Sequence, residues 1–352
     1  MIGPRAPSVL TFQNVERTPI YRIRPWAGNR RAVPMDLPIL VASAIVSFVA
    51  AYLFLPWLIR SLRGTTLVGK DLNKLHGPLV PEMGGIGVIL GFYVGVGILA
   101  ALVVPADSSA LFFAALSACL GAGVVGLMDD MFRLRKRSKA ILPFILALPL
   151  GAVVYSAKNT VLLGLDIGIL MALVVPLGVT SASNAANMLE GFNGLGAGLG
   201  VIMTASLIVL SFLTGAQGGL FLLFPLLGAL SAFLYFNWYP ARVFPGDSMT
   251  LFTGATIACA AIISSPSLKA VGALLFIPMI IEFALKFRGH FQAENYGEIG
   301  ADGRLEWRGP VESLAHVVMH WKRLREWEIV LVLWAFEAVV CLAVILTVAG
   351  VL

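Results

Sequence analysis

Apolar stretches long enough to cross a bilayer recur along this chain, and no other feature restricts its fold as strongly. A helix of about 20 residues spans the hydrocarbon core, so each stretch is predicted to be a membrane-spanning helix. The ten predicted spans are residues 37–59, 83–104, 110–128, 140–156, 161–182, 195–214, 217–236, 249–264, 268–287 and 329–352. The predicted fold class is therefore an all-α polytopic membrane protein.

The composition agrees with a bilayer environment. Of the 352 residues, 59% are hydrophobic and 12% are charged, and this charged share is about half that of a soluble domain. A lone signal peptide cannot produce the excess, because apolar stretches recur to the end of the chain. The three cysteines all lie in apolar stretches, so neither a disulfide framework nor a zinc site is predicted.

The connections between the predicted spans alternate in character. Those after spans 2, 4, 6 and 8 are short, whereas those after spans 1, 3, 5, 7 and 9 are longer and carry most of the 25 Lys and Arg residues. The positive-inside rule therefore predicts that the longer connections face the cytoplasm. Arginines that precede the first span oppose this rule, and we interpret residues 1–36 as a disordered tail or a non-native start. Residues 37–352 are predicted to form one integral-membrane domain.

The connection at residues 288–328 is predicted to be the largest soluble element. Asp302-Gly303 lies between apolar residues, a pattern that predicts a small β-hairpin with a type I′ turn. Apolar residues then recur at helical spacing beside several cations, at Val311, Leu314, Val318 and Trp321. This second pattern predicts an amphipathic helix, which either lies at the membrane interface or packs on the other loops.

Two polar clusters on the predicted cytoplasmic side suit a cation. Asp129-Asp130 ends span 3, and adjacent carboxylates repel each other unless Mg²⁺ or a lysine compensates their charge. Asn184 and Asn187, after span 5, share a helical face, and their amide oxygens suit a hard cation. The structural alternatives are a helix end followed by a basic run and a capped helix end with a glycine turn.

Two further clusters lie on the same side. Asp247, after span 7, is predicted to be a metal ligand or the N-cap of the next helix, and the two roles are compatible because a helix N-terminus also favours phosphate. The first connection contains Asp71-Leu72-Asn73-Lys74 and Glu82, which are ordinary loop residues when taken alone. All four clusters map to one face of the protein, which predicts that they converge on a charged substrate.

In this order along the chain, the motifs resemble the polyprenyl-phosphate N-acetylhexosamine-1-phosphate transferase superfamily. They are most similar to its archaeal and eukaryotic branch, which uses UDP-GlcNAc and dolichyl phosphate. The resemblance runs from about Leu67 to the last helix and rests on Asp71-Leu72-Asn73-Lys74, Pro81-Glu82, Asp129-Asp130 with Lys139, Asn184-Ala185-Ala186-Asn187 with Asn193-Gly194, and residues 237–244 with Gly246-Asp247.

The resemblance implies a ten-helix enzyme that moves a sugar-1-phosphate from a UDP-sugar to a polyprenyl or dolichyl phosphate. In this branch the sugar is GlcNAc, and the reaction begins lipid-linked oligosaccharide synthesis for protein N-glycosylation. The resemblance also implies a site on the cytoplasmic face, release of UMP and dependence on Mg²⁺, with Mn²⁺ as the alternative ion. We favour direct attack by the lipid phosphate, and a covalent aspartyl-phosphate is the alternative.

The resemblance assigns roles to individual residues. Asp247 and Asn187 would bind the metal, while Asp129, Asp130 and Lys139 would be catalytic. The residues implied to bind substrate are Asp71, Asn73, Lys74, Glu82, Asn193, Phe244, Arg288 and His290. The loop at 288–328 matches neither the histidine-rich motif of the bacterial branch nor the basic motif of the eukaryotic enzyme, which leaves the sugar open.

The resemblance further implies a multi-pass protein of the cytoplasmic membrane in an archaeon or of the endoplasmic reticulum in a eukaryote. Its partners would be the two substrates and membrane lipid, not nucleic acid, and a homodimer is left open. One alternative function is a bacterial-type transferase for cell-wall or surface-polysaccharide lipid intermediates. Alternatives of a different class are an ion-coupled transporter and a non-catalytic lipid-binding scaffold.

Overall fold

A computed structural model describes residues 37–102 and 109–351 of the chain. Nine helices in these ranges are long and apolar enough to cross a membrane, and a bent pair supplies a tenth crossing if it forms one span. This confirms the prediction of an all-α polytopic membrane protein. The interpretation of residues 1–36 lies outside the described residues, and the assignment of residues 37–352 to one domain stays a prediction.

The helices account for nearly all of the regular structure in these ranges. In chain order they are α1 (Leu37–Leu62), α2 (Gly85–Leu102), α3 (Ser109–Phe132), α4 (Lys136–Ser156), α5 (Met171–Met188), α6 (Leu195–Thr214), α7 (Leu220–Asn237), α8 (Gly246–Ser264), α9 (Pro266–Leu274), α10 (Ile277–Arg288), α11 (Leu314–Trp321) and α12 (Glu326–Val348). Three antiparallel two-stranded hairpins join some of them: β1 (Val68–Lys70) with β2 (Leu79–Pro81), β3 (Val161–Leu162) with β4 (Leu165–Asp166), and β5 (Glu298–Ile299) with β6 (Leu305–Glu306).

Helix α5 begins ten residues later than the predicted fifth span. Instead of helix from residue 161, the chain forms the β3–β4 hairpin and a 3-10 turn at Gly168–Leu170 before α5 begins. Gly164 and Gly168 both have positive φ, of 81° and 54°, which a helix does not accommodate. At its other end α5 continues to Met188, beyond the predicted limit of residue 182. Asn187 is therefore in the last turn of a helix.

The predicted ninth span is broken into two helices. Between α9 and α10 the helix axis turns by 55°. The break precedes Pro278, in the first turn of α10, because proline cannot donate the backbone hydrogen bond that a continuous helix requires.

Helix α8 is the centre of the bundle, and 89% of its most apolar 18-residue stretch is buried. It packs against both α3 and α5. Glycine allows each of these contacts, since a Cβ at Gly126 of α3 would lie 2.3 Å from the Asp247 carbonyl oxygen, and a Cβ at Gly254 would lie 2.3 Å from the Ala182 carbonyl oxygen. The end of α3, with its two carboxylates, therefore reaches the first turn of α8.

The loop at 288–328 contains both predicted elements. The β5–β6 hairpin forms, but the type I′ assignment of its turn is wrong: Gly303 has a φ of 71°, whereas Asp302 is not among the residues with positive φ. The turn closes instead through hydrogen bonds from the Gly303 N–H to the Gly300 carbonyl (2.9 Å) and from the Gly300 N–H to the Arg304 carbonyl (2.8 Å). Helix α11 buries one face against neighbouring elements, while Trp321 at its end is 77% exposed.

Candidate active site

Four polar side chains meet where α3, α4, α5 and α8 come together. The ammonium of Lys139 is 3.0 Å from Asp129 Oδ2 and forms an ion pair with Asp247. The hydrogen-bonding groups around Asn187 are matched when its amide oxygen accepts from Lys139 Nζ, at 2.8 Å, and its amide nitrogen donates to Asp247 Oδ1, also at 2.8 Å. We refer to Asp129, Lys139, Asn187 and Asp247 as the acid–lysine cluster.

Asp130 has a different task from its neighbour Asp129. Its carboxylate accepts the backbone N–H groups of Asp247 (2.6 Å) and Ser248 (3.1 Å), which are orphan donors in the first turn of α8. Asp130 therefore caps α8 from another helix, and the alternative of Asp247 as the N-cap is wrong. The side chain of Asp247 is left to face the acid–lysine cluster.

The oxygens of this cluster fit a divalent cation of the Mg²⁺ type. Oxygens of Asp129, Asn187 and Asp247 already surround one cation, the Lys139 ammonium. Within the described ranges, no three residues among His, Cys, Asp and Glu are grouped to hold a metal by themselves. Mg²⁺ is commonly bound by only one or two carboxylates together with substrate phosphates, so such a grouping is not required.

A second, more deeply buried network holds the loops beside the cluster. Asp71 and Glu326 are 3% and 2% exposed, and Lys74 forms ion pairs with both. Asn193 donates from its amide to Asp71 Oδ2 (3.1 Å) and from its backbone N–H to Glu326 Oε1 (2.7 Å). Asp71, Lys74 and Asn193 are thus brought together as predicted from their clusters. We refer to these three residues and Glu326 as the Lys74 network. Glu326 was missed, because it precedes the predicted last span and carried no motif.

A third set of contacts in the candidate site surrounds Phe244. Its backbone N–H donates to the Pro81 carbonyl (2.7 Å), and its own carbonyl accepts the Gly84 N–H (2.9 Å). These bonds fix the backbone of Phe244. Its half-buried ring and the Glu82 side chain both lie against Gly69, because a Cβ added at Gly69 would touch both of them. Burial raises the pKa of Glu82, the nearby Asp130 raises it further, and Arg133 opposes the shift.

The two predicted residues from the last loop lie apart from the acid–lysine cluster. The guanidinium of Arg288 donates to the Val311 carbonyl, and the exposed His290 has a φ of 55°. Neither side chain contacts the cluster in the ranges that the structure describes. Asn73 is buried, and its amide donates to the Gly191 carbonyl at 2.8 Å.

Glu190 is a half-buried residue close to the cluster, and its carboxyl received no role from the sequence. Its Oε2 atom has no hydrogen-bond partner among the described residues and lies against Gly196. Burial raises the pKa of Glu190 to about 7, with a smaller contribution from Asp247, while the N–H groups of Gly191 and Gly196 oppose the shift.

The raised pKa of Glu190 makes stability depend on pH. The folded protein keeps this proton up to about pH 7, whereas an unfolded chain releases it near 4.5, so stability falls as pH rises between these values. We expect Glu190→Gln to raise the melting temperature in detergent at pH 8, through up to about 3 kcal/mol of recovered stability, and to change it little at pH 4.5. Glu298→Gln, at an exposed carboxylate, is the control. Identical melting temperatures of Glu190→Gln and the unaltered protein at pH 8 would contradict the assignment.

Comparison with known proteins places the acid–lysine cluster inside a family match. Residues 112–265, which contain most of α3, all of α4 to α8 and all four residues of the cluster, match the profile of glycosyl transferase family 4. A protein of Saccharolobus solfataricus, assigned as a UDP-N-acetylglucosamine–dolichyl-phosphate N-acetylglucosaminephosphotransferase, is 38% identical over 88% of this chain and 95% of its own length.

More distant relatives include eukaryotic and bacterial enzymes. The UDP-N-acetylglucosamine–dolichyl-phosphate N-acetylglucosaminephosphotransferase of Schizosaccharomyces pombe is 26% identical over 70% of this chain and 66% of its own. The phospho-N-acetylmuramoyl-pentapeptide-transferase of Shouchella clausii is 27% identical over 66% of this chain and 76% of its own.

Proposed function

The chain belongs to glycosyl transferase family 4, and on that premise we propose that it transfers GlcNAc-1-phosphate from UDP-GlcNAc to dolichyl phosphate. The reaction releases UMP, requires Mg²⁺, takes place on the cytoplasmic face and opens the synthesis of the lipid-linked oligosaccharide for N-glycosylation. The observation that carries the proposal is the acid–lysine cluster, which places hard oxygen donors and one ammonium at a single point.

The charges of the substrates explain why such a cluster is needed. The diphosphate of a UDP-sugar and a lipid phosphate are both anions, and they repel each other unless cations lie between them. Mg²⁺, held by Asp247 and Asn187, would supply Lewis-acid stabilisation of the diphosphate. Lys139 is placed to hold the phosphate oxygens and to stabilise the negative charge that develops on the leaving UMP.

The transfer itself exchanges one phosphorus–oxygen bond for another. An oxygen of the lipid phosphate attacks the β-phosphorus of the donor, and the bond from that phosphorus to the bridging oxygen breaks, so the electron pair leaves with UMP. A lipid phosphate is largely ionised near neutral pH, and no strong general base is required. The chain's contribution is positioning and electrostatic stabilisation, as is usual for phosphoryl transfer.

The contacts of the two adjacent carboxylates support direct attack over a covalent intermediate. Both oxygens of Asp130 accept backbone N–H groups, which leaves this residue poorly placed as a nucleophile. Asp129 accepts the Leu134 N–H (2.6 Å) and pairs with Lys139. A covalent route would catalyse isotope exchange between UMP and UDP-GlcNAc without lipid acceptor, whereas we expect no such exchange.

The position of the site supports its assignment to the cytoplasmic side. The acid–lysine cluster and the Lys74 network are built from the α1–α2, α3–α4, α5–α6 and α7–α8 connections, the helix ends that adjoin them and the start of α12. These are the longer and more basic connections, which the positive-inside rule assigns to the cytoplasm.

The decisive experiment supplies the purified protein with both substrates. UDP-GlcNAc is combined with dolichyl phosphate and Mg²⁺, and the lipid product is identified by mass while UMP is measured. UDP-GalNAc, UDP-glucose and undecaprenyl phosphate replace the substrates in parallel, and EDTA replaces the metal. We expect a lipid diphosphate carrying GlcNAc, formed only with the metal. The absence of any lipid-linked product would overturn the proposal.

A further inference from the structure

A four-residue segment, Met188–Gly191, joins the end of α5 to the buried Asn193 and is held from outside by side chains. We call it the 188–191 segment. Its outward-facing carbonyls accept hydrogen bonds from Lys286 of α10, from Asn295 of the loop after α10, and from Asn73 of the first connection. The segment therefore links one residue of the acid–lysine cluster to one residue of the Lys74 network.

Two of these donors satisfy the end of helix α5. Lys286 Nζ is 2.7 Å from the Met188 carbonyl oxygen, and Asn295 Nδ2 is 3.0 Å from the same atom and 2.6 Å from the Glu190 carbonyl oxygen. The last carbonyls of a helix have no partner within the helix, and a cation there also interacts favourably with the helix dipole.

The surroundings fix both donors in place. Asn295 is 4% exposed, and the Lys286 side chain is 13% exposed. Lys286 lies 3.5 Å from Glu282, whose other oxygen accepts the Ser313 hydroxyl (3.1 Å) and the Leu314 N–H (2.7 Å) at the start of α11. The donors thus belong to a buried unit formed by α10, α11 and the loop between them, and they are not flexible surface side chains.

The position of Asn187 follows from these contacts. Met188 is the next residue in the chain, so a displacement of the backbone at Met188 is passed to Asn187 and to the position of its side-chain amide relative to Asp247 and Lys139. We propose that Lys286 and Asn295 are positioning residues, which hold Asn187 where its oxygen can bind the metal and the donor diphosphate. This inference rests on the proposed function. It adds two residues to the site that lie outside the range matched by the family profile, since both follow residue 265.

The test separates metal binding from turnover. The variants are Asn295→Ala and Lys286→Met, with Lys286→Arg as the conservative variant that keeps a donor. Gln292→Ala and Lys322→Met are matched controls, because both side chains are exposed and make no hydrogen bond or ion pair in the described part of the chain. Two quantities are measured: the Mg²⁺ concentration for half-maximal transfer at saturating substrates, and the rise in melting temperature that UDP-GlcNAc causes with and without Mg²⁺.

We expect the half-maximal Mg²⁺ concentration to rise roughly tenfold in Asn295→Ala and Lys286→Met, the usual size of the effect when the partner of a metal ligand is removed. The rate at saturating Mg²⁺ should fall much less. The additional rise in melting temperature that UDP-GlcNAc causes when Mg²⁺ is present should become smaller. The rise that UDP-GlcNAc causes without Mg²⁺ should be unchanged. Lys286→Arg and both controls should behave as the unaltered protein does.

The opposite results would overturn the inference. If Asn295→Ala and Lys286→Met keep the unaltered Mg²⁺ requirement and Mg²⁺-dependent melting shift, the two residues only stabilise the fold. Lys286→Met leaves Glu282 without its cation, so if that variant does not fold, Asn295→Ala decides the question. Failure of the proposed function looks different, because the unaltered protein would then form no lipid product in the same assay.

Discussion

Asp247→Asn is expected to lower the transfer rate by at least about a hundredfold while the protein still folds. The substitution keeps the shape of the side chain and removes the charge that pairs with Lys139 and that would bind the metal. The Asp130 carboxylate accepts the backbone N–H of residue 247 and does not contact the side chain of that residue, so the start of α8 should remain intact. Turnover is measured by product mass and UMP release, and folding by thermal unfolding in detergent.

The Asp247 result is interpreted against a carboxylate outside the site. Glu298→Gln removes one negative charge from an exposed position in β5 and should leave the rate unchanged. UDP-GlcNAc should no longer produce a Mg²⁺-dependent rise in the melting temperature of Asp247→Asn. Normal turnover by the purified Asp247→Asn protein would refute the assignment of Asp247 as a metal ligand.

Asp130→Ala should reduce stability and activity together. It removes the acceptor for two N–H groups in the first turn of α8, at a cost of about 2–3 kcal/mol in the free energy of unfolding. The same loss releases the backbone of Asp247, so the acid–lysine cluster should no longer hold its geometry. The melting temperature and the transfer rate are measured on the same preparation.

Asp130→Asn serves as the conservative comparison because it keeps one acceptor oxygen for the helix start. It should recover part of the melting temperature and part of the rate. If Asp130→Ala instead lost activity at an unchanged melting temperature, Asp130 would act directly on substrate, and the capping role would be wrong.

Much of the architecture could be predicted from hydrophobic pattern alone, because a bilayer demands long apolar helices. The placement of polar residues also predicted that the clusters containing Asp129, Asn187 and Asp247 converge, and these side chains are in contact. The start of α5 could not be predicted, since the apolar residues from Val161 onward are compatible with either strand or helix. The break before Pro278 is another local event that hydropathy does not register.

The contacts within the candidate site could not be predicted from the sequence for a different physical reason. Asp129 and Asp130 are adjacent and chemically identical, and only the packing of α3 on α8 determines that one faces Lys139 and the other the α8 N-terminus. Glu326 and Asn295 have no special neighbours in sequence. Their partners are more than 100 residues away and are defined only by how the helices pack.

Lys139 gives the cluster an internal counter-ion. The ammonium offsets the charge of two carboxylates that would otherwise repel each other, so the bundle can assemble around them before any ligand arrives. A divalent ion entering alone must compete with this tethered cation for the same oxygens. On the proposed function, a phosphate group of the donor would attract the ammonium away from the carboxylates and so free those oxygens. Donor and metal ion are therefore expected to bind with positive cooperativity, each increasing the affinity for the other.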